Sequence, residues 1–133
     1  MITIEGKIKG KARPRVMKSG IAFTPADTVN YENWVKINYK QQSGKYLEGS
    51  IRASITAYYK IPKSYSKKRV QAISEDREYP TKKPDSDNVA KIILDSLNGI
   101  AYKDDSQITE LMVLKRYTDG IERVEIELQE VGK

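Results

Sequence analysis

Asp85 and Asp87, in Lys83-Pro84-Asp85-Ser86-Asp87-Asn88, and Asp105, in Asp104-Asp105-Ser106-Gln107, gather acid in the middle of a basic chain. Carboxylates held close repel one another, and a bound divalent cation is the usual compensation. Oxygen ligands without histidine or cysteine favour Mg²⁺ or Mn²⁺ over zinc or copper. The 24 Lys and Arg outnumber the 18 Asp and Glu, giving a net charge of +6 that favours a polyanionic partner. Acid on a basic surface points to a metal-dependent nuclease.

Two absences narrow the chemistry. There is no cysteine, which excludes disulfide scaffolds, thiol nucleophiles and thiolate zinc sites. There is no histidine, which removes Ser-His-Asp catalysis and histidine–metal nuclease motifs. Carboxylates, lysines, tyrosines and bound water must do the work. No stretch is apolar enough to span a bilayer and residues 1–6 carry no leader pattern, so a cytoplasmic protein without a membrane partner is expected. At 133 residues the chain is the size of one domain, 1–133, with a real core.

The elements that must position these groups follow from the pattern. Residues 2–16 alternate with period two, so an extended chain puts Lys7, Lys9, Lys11, Arg13 and Arg15 on one face. Lys18-Ser19-Gly20 predicts a turn before a short strand over 21–24. A helix is expected over 27–42, with Tyr31, Trp34 and Val35 on its buried side and Gly44 as its stop. Residues 51–61 predict a long strand, in which Tyr58 and Tyr59 face opposite ways. A short basic helix capped by Ser66 and carrying Lys67, Lys68 and Arg69 is expected over 66–73. A polar loop over 74–84 then leads to a central helix that Asp85 opens and Asn98-Gly99 closes. Strands over 107–117 and 121–129 complete the chain, with Asp119-Gly120 as a hairpin signal. The order β-β-α-β-α-α-β-β predicts a single α+β domain with a mixed or antiparallel sheet and two to three helices.

Each chemical feature has an ordinary structural reading beside it. Asp85 is a natural N-cap, and Asp87 complements the dipole of the first turn. On a helical wheel Asp87, Lys91, Asp95 and Asn98 form a polar stripe opposite Val89, Ile92, Ile93, Ser96 and Leu97, with Leu94 out of pattern. That stripe by itself is compatible with a solvated face and a Lys91 salt bridge. The basic residues of 2–16 also suit a solvated edge strand, and Lys67, Lys68 and Arg69 an exposed helix. A calcium loop fails on spacing, since Val89, Ala90 and Ser96 stand where its ligands and its glycine belong.

The run Lys83-Pro84-Asp85-Ser86-Asp87-Asn88-Val89-Ala90-Lys91-Ile92-Ile93-Leu94-Asp95-Ser96-Leu97-Asn98-Gly99, with Tyr102-Lys103-Asp104-Asp105-Ser106-Gln107-Ile108, resembles the signature of the RusA family of Holliday junction resolvases. Gly10-Lys11-Ala12-Arg13-Pro14-Arg15 and Phe23-Thr24-Pro25 resemble that family's N-terminal region. Departures such as Val89, where leucine is frequent, leave the polar positions untouched. The resemblance implies a homodimeric endonuclease, bacterial or prophage-encoded, that cuts four-way (branched) DNA junctions with paired symmetric nicks using Mg²⁺ or Mn²⁺. By position it implies metal binding at Asp85, Asp87 and Asp105 and a catalytic role for Lys91. Asp95 and Asp104 also fall on frequent family positions.

Two other classes share the basic surface and the acids. A non-catalytic nucleic-acid-binding module would show no divalent-dependent cleavage. A divalent-metal phosphotransfer enzyme would turn over nucleotides, although the chain carries no Gly-rich phosphate loop.

Overall fold

The computed structural model describes residues 1–11, 15–16, 22–23 and 26–132, with backbone alone at 15–16 and 22–23. Along the chain run β1 (Ile2–Glu5), β2 (Arg15–Val16), β3 (Ala22–Phe23), α1 (Ala26–Gln42), β4 (Ile51–Lys60), α2 (Lys67–Ser74), α3 (Ser86–Ser96), β5 (Ile108–Thr118) and β6 (Arg123–Glu130). A 3-10 turn, Asp105–Gln107, leads into β5. The chain is α+β with a mixed four-stranded sheet, as its pattern predicts. The turn expected at Lys18-Ser19-Gly20 lies outside the described residues, as do Arg13 and the side chain of Arg15.

Alternation in β4 decides which way the sheet faces. Ile51, Ala53, Ile55, Ala57 and Tyr59 point to one side and are all buried, while Arg52, Ser54, Thr56, Tyr58 and Lys60 point to the other. Ile2 and Ile4 of β1 and Val124 and Ile126 of β6 extend the apolar face. α1 and α3 pack against each other, and they meet the sheet at β1 and β5. The opposite face carries an Arg52–Glu110 ion pair and Arg123, which pairs with Glu125 and lies over the Tyr58 ring.

The sheet order is β1-β6-β4-β5, with β4 parallel to β5 and antiparallel to β6. The hairpin read at Asp119-Gly120 is therefore absent: β5 and β6 flank β4 and never pair. Residues 119–122 instead pass over the end of β4, where Ile61 N donates to Thr118 O and Lys60 N to Glu122 Oε2. A parallel pair needs a long crossover. Here that crossover is residues 61–107, which carry α2, α3 and Asp85, Asp87, Asp95, Asp104 and Asp105.

Two further expectations are corrected. Residues 2–16 do not form one strand; β1 ends where its partner β6 begins, at Glu5↔Arg123. Gly6 then turns the chain at φ 126°, donating its N–H to Glu122 O. Residues 6–11 form a strap that runs to the start of α3. Trp34 is not in the core: it is 43% exposed, and its indole N–H binds Glu5 O at 2.8 Å. The buried side of α1 is Thr28, Tyr31, Val35, Asn38 and Tyr39.

The other elements follow their sequences closely. Ser66 caps α2 by accepting from Arg69 N, and Gly44, at φ 72°, closes the end of α1. The core face of α3 reads as expected, with Val89, Ile92, Ile93 and Leu97 fully buried. Each such side chain contributes about 1.5–3 kcal/mol of burial. Among the described residues no helix is long and apolar enough to cross a membrane.

Candidate active site along α3

The start of α3 is built without the help of its acid. Asp85 takes the N-cap position, φ −64° and ψ 152°, yet its carboxylate makes no cap hydrogen bond. An N-cap aspartate ordinarily satisfies a free N–H of the first turn. This one, like Asp87 in the first turn, is exposed with its oxygens unused for capping. Beneath it the Tyr59 hydroxyl donates to Pro84 O at 3.3 Å. Burial pushes the Tyr59 phenol up to about 12, helped by the charges of Glu122 and Asp85.

The strap of residues 6–11 crosses this end of the helix at close range. Lys11 N donates to Asn88 O at 2.9 Å. Gly10 lies so near that a Cβ there would stand 2.7 Å from Pro84 Cβ and 3.0 Å from Asn88 Cβ. Beside the crossing is a cavity of about 350 Å³ whose lining includes Lys7, Lys9, Lys11, Lys83, Asp85 and Asn88. A second, of about 530 Å³, shares Lys7 and Lys83 and is bounded by Tyr59, Lys82 and Glu122. The lysines make this corner positive with Asp85 on its wall.

One turn beyond Asp87, Lys91 is 60% exposed and its Nζ stands 3.2 Å from Asp95 Oδ2. The same oxygen is 3.5 Å from Lys11 Nζ, which also binds Glu32 Oε2 at 2.7 Å. Burial would lower the pKa of Lys11, but its bonds and attraction to Glu32 and Asp95 outweigh that and hold it above the ordinary lysine value. Lys11 thus turns to two carboxylates, whereas Lys7 is exposed and Lys9 stands 3.9 Å from Asp27.

The loop after α3 returns the third aspartate. Gly99, at φ 75°, donates to Tyr102 O, and the buried Tyr102 hydroxyl donates to Leu94 O at 2.7 Å. That packing buries Leu94, the residue out of step with the wheel. Asp104 caps the 3-10 turn: its Oδ2 accepts from Ser106 N at 2.9 Å, and Gln107 Oε1 accepts from Asp104 N at 3.1 Å. Hydrogen bonds from Ser106 hold Asp104 below the usual carboxylate range. Asp105 is half-buried and lies above it, pushed first by burial and then by Asp95 and Asp104, with its own backbone amide and Lys91 pulling the other way.

The structure links Glu32, Lys11, Asp95 and Lys91 by ion pairs and places Asp105 within reach of the charges of Asp95 and Lys91, while Asp85 and Asp87 stand at the start of α3. At a rise of roughly 1.5 Å per residue, Asp85 and Asp95 are about 15 Å apart along the axis. Among the described residues, no group of three acids stands close enough to hold one cation. Of the other basic residues, Lys67 and Lys68 are exposed at the start of α2. Arg69 is engaged, bonded to Glu78 at 2.8 Å and stacked 3.6 Å over the Tyr65 ring. Glu32 and Lys83 were not singled out from sequence. Glu32 lies 21 residues from its partner Lys11, so no local spacing marks the pair.

The profile described as Endodeoxyribonuclease RusA matches residues 5–129. The chain is also 33% identical over 136 residues to the Uncharacterized protein YqaN of Bacillus subtilis (strain 168), covering 98% of this chain and 95% of that protein. With the profile spanning nearly all of the fold, and both α3 and the turn before β5 inside the match, the chain belongs to the RusA family of endodeoxyribonucleases.

Proposed function

We propose that this chain is a divalent-metal-dependent endonuclease that resolves four-way DNA junctions by paired, symmetric phosphodiester hydrolysis. It acts as a homodimer with one site per subunit, residues 1–133 forming one catalytic unit. The observation that carries this reading is Asp85, a helix-start carboxylate that makes no cap bond and opens onto a lysine-rimmed cavity. Such a cavity draws in a phosphate backbone. A bare carboxylate on its wall repels that same backbone unless a cation stands between them.

The donor chemistry fits a hard cation. Asp85 and Asp87 offer exposed oxygens that the helix does not use, and Asp105 is half-buried near Asp95 and Asp104. Among the described residues these acids do not converge on one point, so a bound Mg²⁺ or Mn²⁺ would have to draw Asp85, Asp87 and Asp105 together. Bound there, the ion supplies Lewis-acid activation of water and neutralisation of phosphate charge. The rest falls to the chain. Lys7 and Lys9 hold flanking phosphates, with Arg13, Arg15, Lys67 and Lys68 extending the contact along the strands. Lys91 is exposed, so its ammonium, with three N–H donors, can keep Asp95 and meet the scissile phosphate as charge develops. A two-fold dimer presents two such sites to two strands.

The test is cleavage of a labelled four-way junction against a linear duplex of the same sequence, with and without Mg²⁺. Junction-selective, Mg²⁺-dependent paired nicks are expected. Equal cutting of both substrates, or no divalent dependence, would overturn the proposal.

A further inference from the structure

We infer that Glu32 and Lys11, acting through Asp95, form a positioning relay that sets where the Lys91 ammonium stands. The inference rests on the reading of Lys91 given above and extends it to three residues on three segments. Glu32 is on α1, Lys11 on the strap, and Asp95 and Lys91 on α3. Their contacts alternate in charge: Glu32 to Lys11 at 2.7 Å, Lys11 to Asp95 at 3.5 Å, Asp95 to Lys91 at 3.2 Å.

The exposures run in a useful order. Side-chain exposure is 17% at Glu32, 21% at Lys11 and 20% at Asp95, then rises to 60% at Lys91. The first three are shielded and fixed; the last projects outward. An exposed pair one turn apart on a helix orients a lysine only weakly, because its long stem keeps many rotamers. Asp95 is different because Lys11 grips the same oxygen from behind. Lys11 is itself anchored by its backbone bond to Asn88 O. The strap that borders the basic cavity is thereby tied to Lys91. Lys11 serves orientation, and the phosphate contacts of this segment belong to Lys7 and Lys9.

The test uses the full chain in single-turnover cleavage of a four-way junction, at saturating enzyme and Mg²⁺. Lys11→Met and Asp95→Asn are made in the wild-type and Lys91→Gln backgrounds. In the wild-type background each should slow cleavage about 10–100-fold, as when an orienting partner of an active group is lost. Junction affinity and its salt slope should not change. In the Lys91→Gln background the further loss should be under about twofold, the non-additivity of groups acting as a unit. Lys11→Arg should restore most of the rate. Equal losses in both backgrounds would make the relay a brace of the fold and overturn the inference, as would unchanged rates. A Lys11→Met protein with a lower salt slope would return Lys11 to phosphate contact and would equally overturn it. If Lys11→Met does not fold, the Asp95→Asn pair decides.

Wild-type protein inert on junctions would count against the proposed function. The relay is then judged by the NMR order parameter of the Lys91 ε-methylene. It should be ordered in the wild type and fall to free-lysine values in Lys11→Met and Asp95→Asn; equal order in all three would overturn the relay.

Discussion

Replacing Gly10 by alanine tests how the strap is seated on α3. The added Cβ would stand 2.7 Å from Pro84 Cβ and 3.0 Å from Asn88 Cβ, where carbon atoms normally keep about 3.5–4.0 Å. Neither neighbour can rotate away, since a Cβ is fixed by its backbone and Pro84 and Asn88 flank the start of α3. The strap must therefore lift by about 1 Å, the difference between those separations. Lifting stretches the 2.9 Å bond from Lys11 N to Asn88 O and draws Lys11 Nζ away from Asp95. Overpacking of this kind costs about 1–3 kcal/mol. For a chain of this size that is a fall in Tm of roughly 3–12 °C. Gly120→Ala is the matched control: its Cβ would meet only Thr118 Oγ1, at 3.5 Å, an ordinary contact. Thermal melting followed by circular dichroism reads both variants. A Gly10→Ala protein that melts within about 1 °C of the wild type, less than the smallest cost allowed above, would refute the close-crossing argument.

Three more expectations can be checked directly. Asp85→Asn and Asp105→Asn should each abolish Mg²⁺-dependent cleavage while leaving junction binding in a gel shift nearly unchanged; activity within a few fold of wild type would remove that residue from the ligand set. Lys7→Gln with Lys9→Gln should weaken junction binding and reduce the slope of log affinity on log salt by about 0.9 per lost contact, and an unchanged slope would take both lysines off the DNA. Burial pushes the phenol of Tyr59 up to about 12, with help from Glu122 and Asp85, so it stays neutral in the fold while the unfolded chain ionises near 10. The folded state then binds the extra proton, and this contribution to stability, complete below pH 10, should be lost as pH rises from about 10 to 12. Urea midpoints across that range, compared with Tyr59→Phe, should show a shallower decline in the variant.

What the sequence made legible was local. α3 carries its own instructions, with an aspartate at the entry, a glycine past the exit and an apolar stripe between them, and Ser66 marks α2 in the same way. Misreadings arose where a distant segment intervenes. Asp119-Gly120 has the composition of a hairpin, but β4 occupies the place beside β5 that a hairpin would give to β6. The alternation of residues 2–16 continues past Glu5, but β6 has no residue left to pair with it. Trp34 has the right spacing for the core of α1, yet Glu5 O holds its indole at the rim. The acids were visible as a set because a motif keeps them near in sequence. The pairing of Lys11 with Glu32 was not, because it depends on how a strap and a helix meet over α3.

The order of strands has a consequence for when the protein becomes a nuclease. β1, made early, finds its only partner in the sheet in β6, which is made late, and β4 must await both β5 and β6. Such long-range pairing raises contact order and delays closure of the sheet until most of the chain exists. The strap that crosses α3 continues directly from β1. During synthesis α3 can form with its aspartates in place while the strand that carries Lys11 toward them still lacks its neighbour. Activity should therefore switch on as one late event, when β1 and β6 come together.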